Sequence, residues 1–172
     1  GGTALILAAG EGHTETVTAL LAVPGLDVNA ADGAGWTALM WAAKRGHTET
    51  ATALLDAPGL DANTADPAGW AALKLAAREG FTETVTALLA APGLNVNAAS
   101  SAGCCTALMW AAGGGHTEMV TALRAVPGLD VNAASSAGWT ALKLAVLKGH
   151  TETVTALLLV ATPVHTTTTV LG

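Results

Sequence analysis

The sequence predicts an all-α solenoid in which short pairs of helices stack side by side, and three observations support this. The stretch TALMWAAKRGHTETATALL, residues 37 to 55, is one of five similar copies along the chain. Each apolar run in it is too short to be a helix alone, because isolated helices under about 12 residues are marginal in water. The copies follow one another at a nearly constant period, as in repeat architectures. Stacking therefore supplies each helix pair with the apolar neighbour that it lacks.

The period is visible in a short motif at the start of each copy. Thr-Ala-Leu begins at Thr3, Thr37, Thr106 and Thr140, with Ala71-Ala72-Leu73 in the remaining place, so the spacings are 34, 34, 35 and 34 residues. The longer spacing comes from one extra residue at Cys104-Cys105, which we interpret as an insertion at a tolerant turn. We predict one repeat domain over residues 1–161, with units at about 1–34, 35–68, 69–102, 103–137 and 138–161, and a Thr-rich extended tail over 162–172.

The first helix of each unit is predicted from the spacing of its apolar residues. In unit two it runs from Thr37 to about Ala43, with Leu39, Ala42 and Ala43 on one face. Gly46 follows at the place where glycine commonly ends a helix. We therefore expect one buried face on a helix of about two turns.

The second helix of unit two is predicted to start at Thr48-Glu49, where a Thr oxygen can cap free amides and Glu suits the positive end. Ala51, Leu54 and Leu55 form its apolar stripe. Pro58-Gly59 ends the helix, and a turn-rich, hairpin-like connector follows from Asp61 to Gly69. The recurring asparagines of the connectors are expected to satisfy backbone groups there: Asn29, Asn63, Asn97 and Asn132.

The pattern resembles the ankyrin repeat family over roughly 160 of the 172 residues. The family motif G-x-T-P-L-H-x-A-A-x-x-G-H matches seven positions of unit two: Gly35, Thr37, Leu39, Ala42, Ala43, Gly46 and His47. Two departures recur in the chain. Ala38 stands where the family has Pro, and the motif's first His is replaced by Ile6, Met40, Lys74, Met109 and Lys143. The resemblance therefore implies that the family's Thr-to-His hydrogen bond is absent.

The composition excludes several classes of function. The net charge is −6 and no basic cluster exceeds Lys44-Arg45, which argues against a nucleic-acid partner. No apolar run approaches the 18 residues of a membrane-spanning helix. Gly1-Gly2-Thr3 has neither an initiator Met nor a charged signal-peptide region, so we expect a processed or partial segment. Adjacent cysteines rarely form a relaxed disulfide, so we expect a reducing, intracellular setting, in the cytoplasm or within an organelle.

No constellation of residues indicates catalysis, a cofactor or a metal. His13, His47, His116 and His150 occupy equivalent positions, but stacked helices lie roughly 8–10 Å apart and a metal needs ligands at roughly 2 Å. The equivalent glutamates, such as Glu49, are interpreted as partners of the helix dipole. No nucleophile, base and orienting residue occur together. We therefore expect a non-enzymatic protein without cofactors.

Resemblance to ankyrin repeats implies binding of a protein through the connector tips and the concave face of the first helices. The family's contact positions that carry aromatic or charged residues here are Trp36, Lys44, Arg45, Trp70, Arg78, Glu79, Trp139 and Lys148. Trp and Arg are enriched in binding hot spots. The alternative is that the row of Trp36, Trp70 and Trp139 covers the connectors structurally, and the residues leave both interpretations open. Trp41 and Trp110 are expected in the core.

The two ends of the array favour a second function, that of a structural linker built permanently into a large assembly such as an organellar complex or filament. Charged residues are only 12% of the chain, and neither terminal unit has a polar outer face, which isolated solenoids need for solubility. Unit one begins with Leu5-Ile6-Leu7, and unit five ends with Leu157-Leu158-Leu159-Val160. We expect the tail, further repeats or a neighbouring protein to cover these ends, and self-association is a further expectation.

Overall fold

A computed structural model describes residues 2–100 and 105–159, which form ten α-helices in five pairs. The helices are α1 (Ala4–Gly10), α2 (Thr14–Leu21), α3 (Ala38–Arg45), α4 (Thr48–Leu55), α5 (Ala72–Glu79), α6 (Thr82–Leu89), α7 (Ala107–Gly114), α8 (Thr117–Arg124), α9 (Ala141–Leu147) and α10 (Thr151–Leu158). The insertion at Cys104 and the predicted tail, residues 162–172, lie outside the described residues. The prediction of an all-α repeat solenoid is confirmed.

The helices form two layers. The first helices of the units, α1, α3, α5, α7 and α9, pack consecutively on one another, and so do the second helices, α2, α4, α6, α8 and α10. Each first helix also packs on the second helix of its own unit. The core runs without interruption through all five units, because each unit buries apolar side chains against the next.

The first helices begin and end through local hydrogen bonds that the sequence encodes. The hydroxyl oxygen of Thr37 accepts from the backbone N–H of Met40 at 3.3 Å, which satisfies one free amide of α3. Gly46 ends α3 with a φ of 71°, a left-handed conformation in which a side chain would be strained. The predicted role of Gly46 is confirmed, although the helix starts at Ala38 and reaches Arg45. Ala71 replaces the threonine in unit three, and no side chain caps α5.

The predicted capping role of Thr48 is wrong. The N-cap of α4 is His47, whose side chain makes no capping hydrogen bond, and Thr48 is the first helical residue. Its hydroxyl lies instead 2.7 Å from that of Thr84 in the next unit. The hydroxyl of a first-turn residue can bond either to the free amides of its own helix or to a side chain of the neighbouring helix. Here the neighbouring unit is close enough for the Thr48 hydroxyl to bond to Thr84. The same bond joins Thr14 to Thr50 and Thr117 to Thr153.

Three of the four asparagines satisfy backbone groups, as predicted, and the groups that they bind belong to the following connector. The Asn63 side chain donates to the carbonyl of Gly93 at 3.0 Å and accepts from the backbone N–H of Asn95 at 2.7 Å. Asn29 and Asn97 make the equivalent pair of bonds to the connectors that follow them. Within the connectors, isolated antiparallel bridges join Ala31 to Thr37 and Ala65 to Ala71. Each of these three asparagines thus makes two hydrogen bonds to the connector that follows it.

Two lysines provide a hydrogen bond at the position where the family has histidine. The Lys74 ammonium is buried and donates to the carbonyl of Gly69, and that of Lys143 donates to the carbonyl of Gly138 at 2.8 Å. Burial lowers the pKa of Lys74, and the negative charge of Asp66 partly opposes this. These contacts tie the start of the first helix to its connector in units three and five.

Candidate functional site

Two tryptophans and a lysine of unit two form a compact cluster on the layer of first helices. The ring centroids of Trp36 and Trp41 lie 4.9 Å apart, with the rings tilted by 51°. The Lys44 ammonium lies 4.8 Å from the Trp36 ring and 5.5 Å from the Trp41 ring. A cation over an aromatic face is attracted by the ring quadrupole, by about 0.5–1 kcal/mol at exposed sites. We call Trp36, Trp41 and Lys44 the unit-two cluster.

Aspartates in the connectors hold the tryptophan rings of this cluster in place. The Asp32 carboxylate accepts from the backbone N–H of Trp36 and from the indole N–H of Trp41, both at 3.0 Å. The indole N–H of Trp36 donates to Asp66, in the connector that precedes Trp70, also at 3.0 Å. The bond from the Trp36 backbone, followed by that from the Trp41 ring, lowers the pKa of Asp32. Both rings are therefore fixed before any partner arrives.

Arg45 extends the unit-two cluster towards unit one. Its guanidinium lies 5.7 Å from the Trp41 ring and donates to the carbonyl of Gly10 and to Glu11, each at 2.8 Å. Beside it is an open groove of about 230 Å³, with an apolar floor formed by Ile6, Leu7 and Trp41. The groove offers room for one apolar side chain of a partner, next to charged groups that already have partners.

A second cluster joins units three and four. The rings of Trp70 and Trp110 have centroids 5.4 Å apart and are tilted by 34°. The Arg78 guanidinium lies 5.3 Å from the Trp70 ring and 5.7 Å from the Trp110 ring. Glu79 is close enough for an ion pair with it, at 3.8 Å from the Arg78 Nε. We call Trp70, Trp110 and Arg78 the unit-three cluster, and it has the same composition of two indoles and one cation.

The two clusters differ in how the inner tryptophan is held. In the connector before α7, Ser100 occupies the place that Asp32 has before α3, because the backbone N–H of each donates to the carbonyl of the residue before the capping threonine. Among the described residues, neither the buried Ser100 hydroxyl nor the buried indole N–H of Trp110 has a hydrogen-bond partner. The serine side chain is shorter than the aspartate by one bond and carries no charge, so Trp110 lacks the acceptor that Trp41 has.

The predicted row of Trp36, Trp70 and Trp139 appears as two clusters and a single residue. The expectation that Trp41 and Trp110 belong to the core is only partly right, because both pack against the core but are only partly buried. Trp139 is 40% exposed, and no second aromatic ring of the described residues lies beside it, since unit five has Leu144 at the position of Trp41. Lys148 is exposed at the same end. Whether the eight predicted residues bind a partner stays a prediction.

Sequence reasoning missed the aspartates that orient the rings. Asp32 lies four residues before Trp36, and Asp66 lies four residues before Trp70. This repeated Asp-x-x-Gly-Trp spacing was available as a signal, because an aspartate at the start of a turn accepts hydrogen bonds from backbone amides just after it. The bonds from the indole groups to these aspartates, however, join residues of different structural elements, so the spacing alone does not predict them.

His47 and His150 each make a hydrogen bond to the preceding unit, and the two do not share a site. His47 Nε2 donates to the carbonyl of Gly10 at 3.2 Å, and His150 makes the equivalent bond to Gly113. Gly12 carries no side chain at the point where the His47 ring packs, and a Cβ there would lie 2.7 Å from the ring. Within residues 2–100 and 105–159 no group of three His, Cys, Asp or Glu could hold a metal ion. In the same ranges, no helix is long and apolar enough to cross a bilayer.

The comparison with family profiles agrees with the repeat geometry. The profile described as ankyrin repeats (3 copies) matches residues 5–100 and again residues 73–167, so the two overlapping matches span nearly the whole chain. A search of curated proteins finds no match.

Proposed function

Because the chain belongs to the ankyrin repeat family, whose repeats are generally protein–protein interaction modules, we propose that it is a non-catalytic scaffold that binds a protein partner. The binding surface is the concave face of the first helices together with the connector tips. Its centre is formed by the unit-two and unit-three clusters, flanked by Arg45 and Glu79. Trp139 and Lys148 extend the surface towards unit five.

The observation that carries this proposal is the pairing of two indoles with one cation in both clusters. Trp and Arg are the residues most enriched in hot spots, and indoles offer large contact area with few rotatable bonds. In unit two, hydrogen bonds to Asp32 and Asp66 fix the rings in advance. Fixing side chains before binding lowers the entropy that association costs. If the tryptophans only covered the connectors structurally, a cation over their rings would not be needed.

The cations indicate the chemistry of the partner. Arg78 has a half-exposed side chain, and Lys44 lies over rings at the surface, so both can donate to carboxylates or backbone carbonyls. The groove beside Arg45 fits an apolar side chain. We therefore expect a partner segment that combines an apolar anchor with acidic residues.

Charge-neutralising variants test this proposal while keeping the tryptophan rings in place. A partner is first captured by crosslinking to the full chain in an extract of its source cells, then purified and titrated by calorimetry. K44Q and R78Q together should weaken binding by at least about 10-fold, since each removes a charge from the surface centre. E49Q and E118Q, on exposed positions of the second helices, form the matched control and should bind as the native chain does. Equal weakening by both pairs would place the interface elsewhere.

Replacing Trp36, Trp70 and Trp139 with Ala separates contact from structural roles. We expect weaker partner binding with helix content largely unchanged, measured by calorimetry and circular dichroism. A collapse of helicity would assign the tryptophans a structural role instead.

The second candidate is the structural linker in a large assembly, which the exposed aliphatic residues at both ends favour. Leu7 and Val23 are exposed in unit one, and Val146, Leu147, Leu158 and Leu159 in unit five. Light scattering after size-exclusion chromatography, over a range of concentrations, separates the two. A concentration-independent monomer supports the reversible scaffold, whereas self-association, or insolubility rescued by co-expressed neighbours, supports the linker.

A further inference from the structure

One position on the first helices changes in a regular way along the array. It is the position of Lys44, and the five residues that occupy it are Gly10, Lys44, Arg78, Gly113 and Leu147. We call these five residues the Lys44 row. Its two cations lie over tryptophan rings in the middle of the array. On each side of the cations, a glycine leaves the place of a long side chain free.

The glycine of unit one opens the groove beside Arg45. A Cβ on Gly10 would lie 3.7 Å from the Cβ of Trp41, an ordinary van der Waals contact, so a longer side chain at this position would extend into the groove. With glycine there instead, the groove of about 230 Å³ is open, and Leu7 in its floor is 63% exposed. The missing side chain thus leaves room for an apolar group from outside the chain.

The glycine of unit four leaves an equivalent place beside unit five. A Cβ on Gly113 would lie 3.8 Å from the Cβ of Leu144, again an ordinary contact. Trp110, three residues earlier on α7, shares the helix face of Gly113. Leu147, the next member of the Lys44 row, is exposed. Both glycines of the row therefore face an apolar residue of the following unit.

The charges between the two glycines are positive on this row. Within the described residues Lys44 makes no ion pair, and the side chain of Arg78 is half-exposed beside Glu79. At the next position along the first helices, Arg45 and Glu11 pair at 2.8 Å and neutralise each other. The middle of the Lys44 row therefore attracts negative charge, whereas its two glycines border apolar surface.

We propose that the partner presents an extended segment with two apolar side chains, one at Gly10 and one at Gly113, and with acidic side chains between them that meet Lys44 and Arg78. The inference rests on the proposed scaffold function and specifies the partner of that same surface. The groove at Gly10 has room for one side chain, which suits an extended chain better than the broad face of a helix.

The stacking of the units determines the distance between the two apolar side chains. Gly10 and Gly113 lie three units apart, and packed helices are roughly 8–10 Å apart, so the two places are separated by roughly 24–30 Å. An extended chain rises about 3.3 Å per residue, so about 7–9 residues cover this distance. A helix rises about 1.5 Å per residue and would need about 16–20 residues. The spacing of the apolar residues in a bound peptide thus distinguishes the two conformations.

A library of random peptides of about 30 residues, displayed on phage and selected on the full native chain, tests this inference. Selected peptides should carry two apolar residues about 7–9 positions apart, with acidic residues between them. The tightest binder is then synthesised and titrated by calorimetry. Replacing either of its two apolar residues with Ser should weaken binding by at least about 10-fold.

Lysine variants of the chain test the two places directly. G10K and G113K each introduce the residue of unit two at a position where a Cβ makes only ordinary contacts, so helix content by circular dichroism should be unchanged. Each should weaken binding of the selected peptide by at least about 10-fold, because lysine fills the place of an apolar side chain. T18K and T121K add the same charge at exposed positions of the second helices and should bind the peptide as the native chain does.

Several results would overturn the inference. They are a library without enriched peptides, enriched peptides that lack the second apolar residue at the expected spacing, and equal weakening by both pairs of lysine variants. Apolar residues about 16–20 positions apart would instead assign a helical partner. The captured partner separates this inference from the scaffold function. If K44Q and R78Q together weaken its binding while G10K and G113K do not, the scaffold function stands and the inference fails.

Discussion

Units two and five carry nearly the same sequence but face different surroundings. In unit two, Ala43 is fully buried against unit three, and Lys44 lies over two indole rings. In unit five the same two positions are Val146 and Leu147, and both are about three-fifths exposed. Unit two thus presents an organised polar and aromatic surface on its first helix, whereas unit five presents an aliphatic end.

Position in the array, more than the repeat motif, decides what each residue does. The motif fixes two helices and a turn in both units. Burial, hydrogen bonding and charge then depend on which neighbours the unit has, as expected for a solenoid whose stability is a sum of units and interfaces. Exchanging residues between equivalent positions of units two and five therefore tests the comparison directly.

The largest effect is expected from placing the unit-five residue into unit two. A43V adds two methyl groups where there is no exposure, and overpacking of this kind costs about 1–3 kcal/mol of the free energy of unfolding. The matched exchange, V146A, removes the same groups at an exposed position and should cost no more than about 1 kcal/mol. Urea unfolding followed by circular dichroism measures both. Equal losses of unfolding free energy for A43V and V146A would contradict the conclusion that position 43 is closely packed and position 146 is not.

A smaller effect is expected from the connector asparagines. N63A removes two hydrogen bonds to the next connector and leaves the Gly93 carbonyl and the Asn95 amide to water, at a cost of about 1–2 kcal/mol. Within the described residues the side chain of Asn132, in the last connector, makes no equivalent bond. N132A should therefore change the midpoint of urea unfolding by much less. A large loss with N132A would contradict the role assigned to the asparagine bonds.

The buried Lys74 predicts a dependence of stability on alkaline pH. Its pKa in the folded chain lies below the ordinary value of 10.5, so the unfolded chain binds more protons between the two values. The free energy of unfolding should consequently rise as the pH increases through this window. K74M, which introduces the residue of units two and four, should remove that rise. K143M, at the exposed equivalent in unit five, should leave it unchanged, and urea midpoints at several pH values decide the matter.

The smallest effect concerns Asp32 in acid. The lowered pKa means that its contribution to stability is complete above the ordinary value and is lost as the pH falls through the folded value. Protonation weakens the bonds to Trp36 and Trp41, so the tryptophan emission of unit two should change in this range. D32N should abolish that acid transition. Ser135 holds this position in the connector before Trp139, and Trp139 should therefore not contribute to the transition.

The sequence predicts the repeat architecture well because helix pairs depend on local residues. Gly46 ends α3 and the asparagines satisfy backbone groups, as turn chemistry predicts, although the sequence does not indicate that these groups belong to the next connector. The capping role of Thr48 is not predicted correctly, because its hydroxyl is closer to Thr84 of the next unit than to free amides. The pairing of Trp70 with Trp110 likewise joins two units. Contacts between units depend on helix spacing and tilt, which the period of a single chain does not specify.

The most direct test of the scaffold account is a hydrogen-exchange footprint of the captured partner on the full chain. Binding through the clusters should slow exchange in α3, α5 and α7 and in the connectors that carry Trp36 and Trp70, with exchange in α4, α6 and α8 unchanged. Protection confined to the second helices, or to the end formed by Val146, Leu147, Leu158 and Leu159, would contradict it.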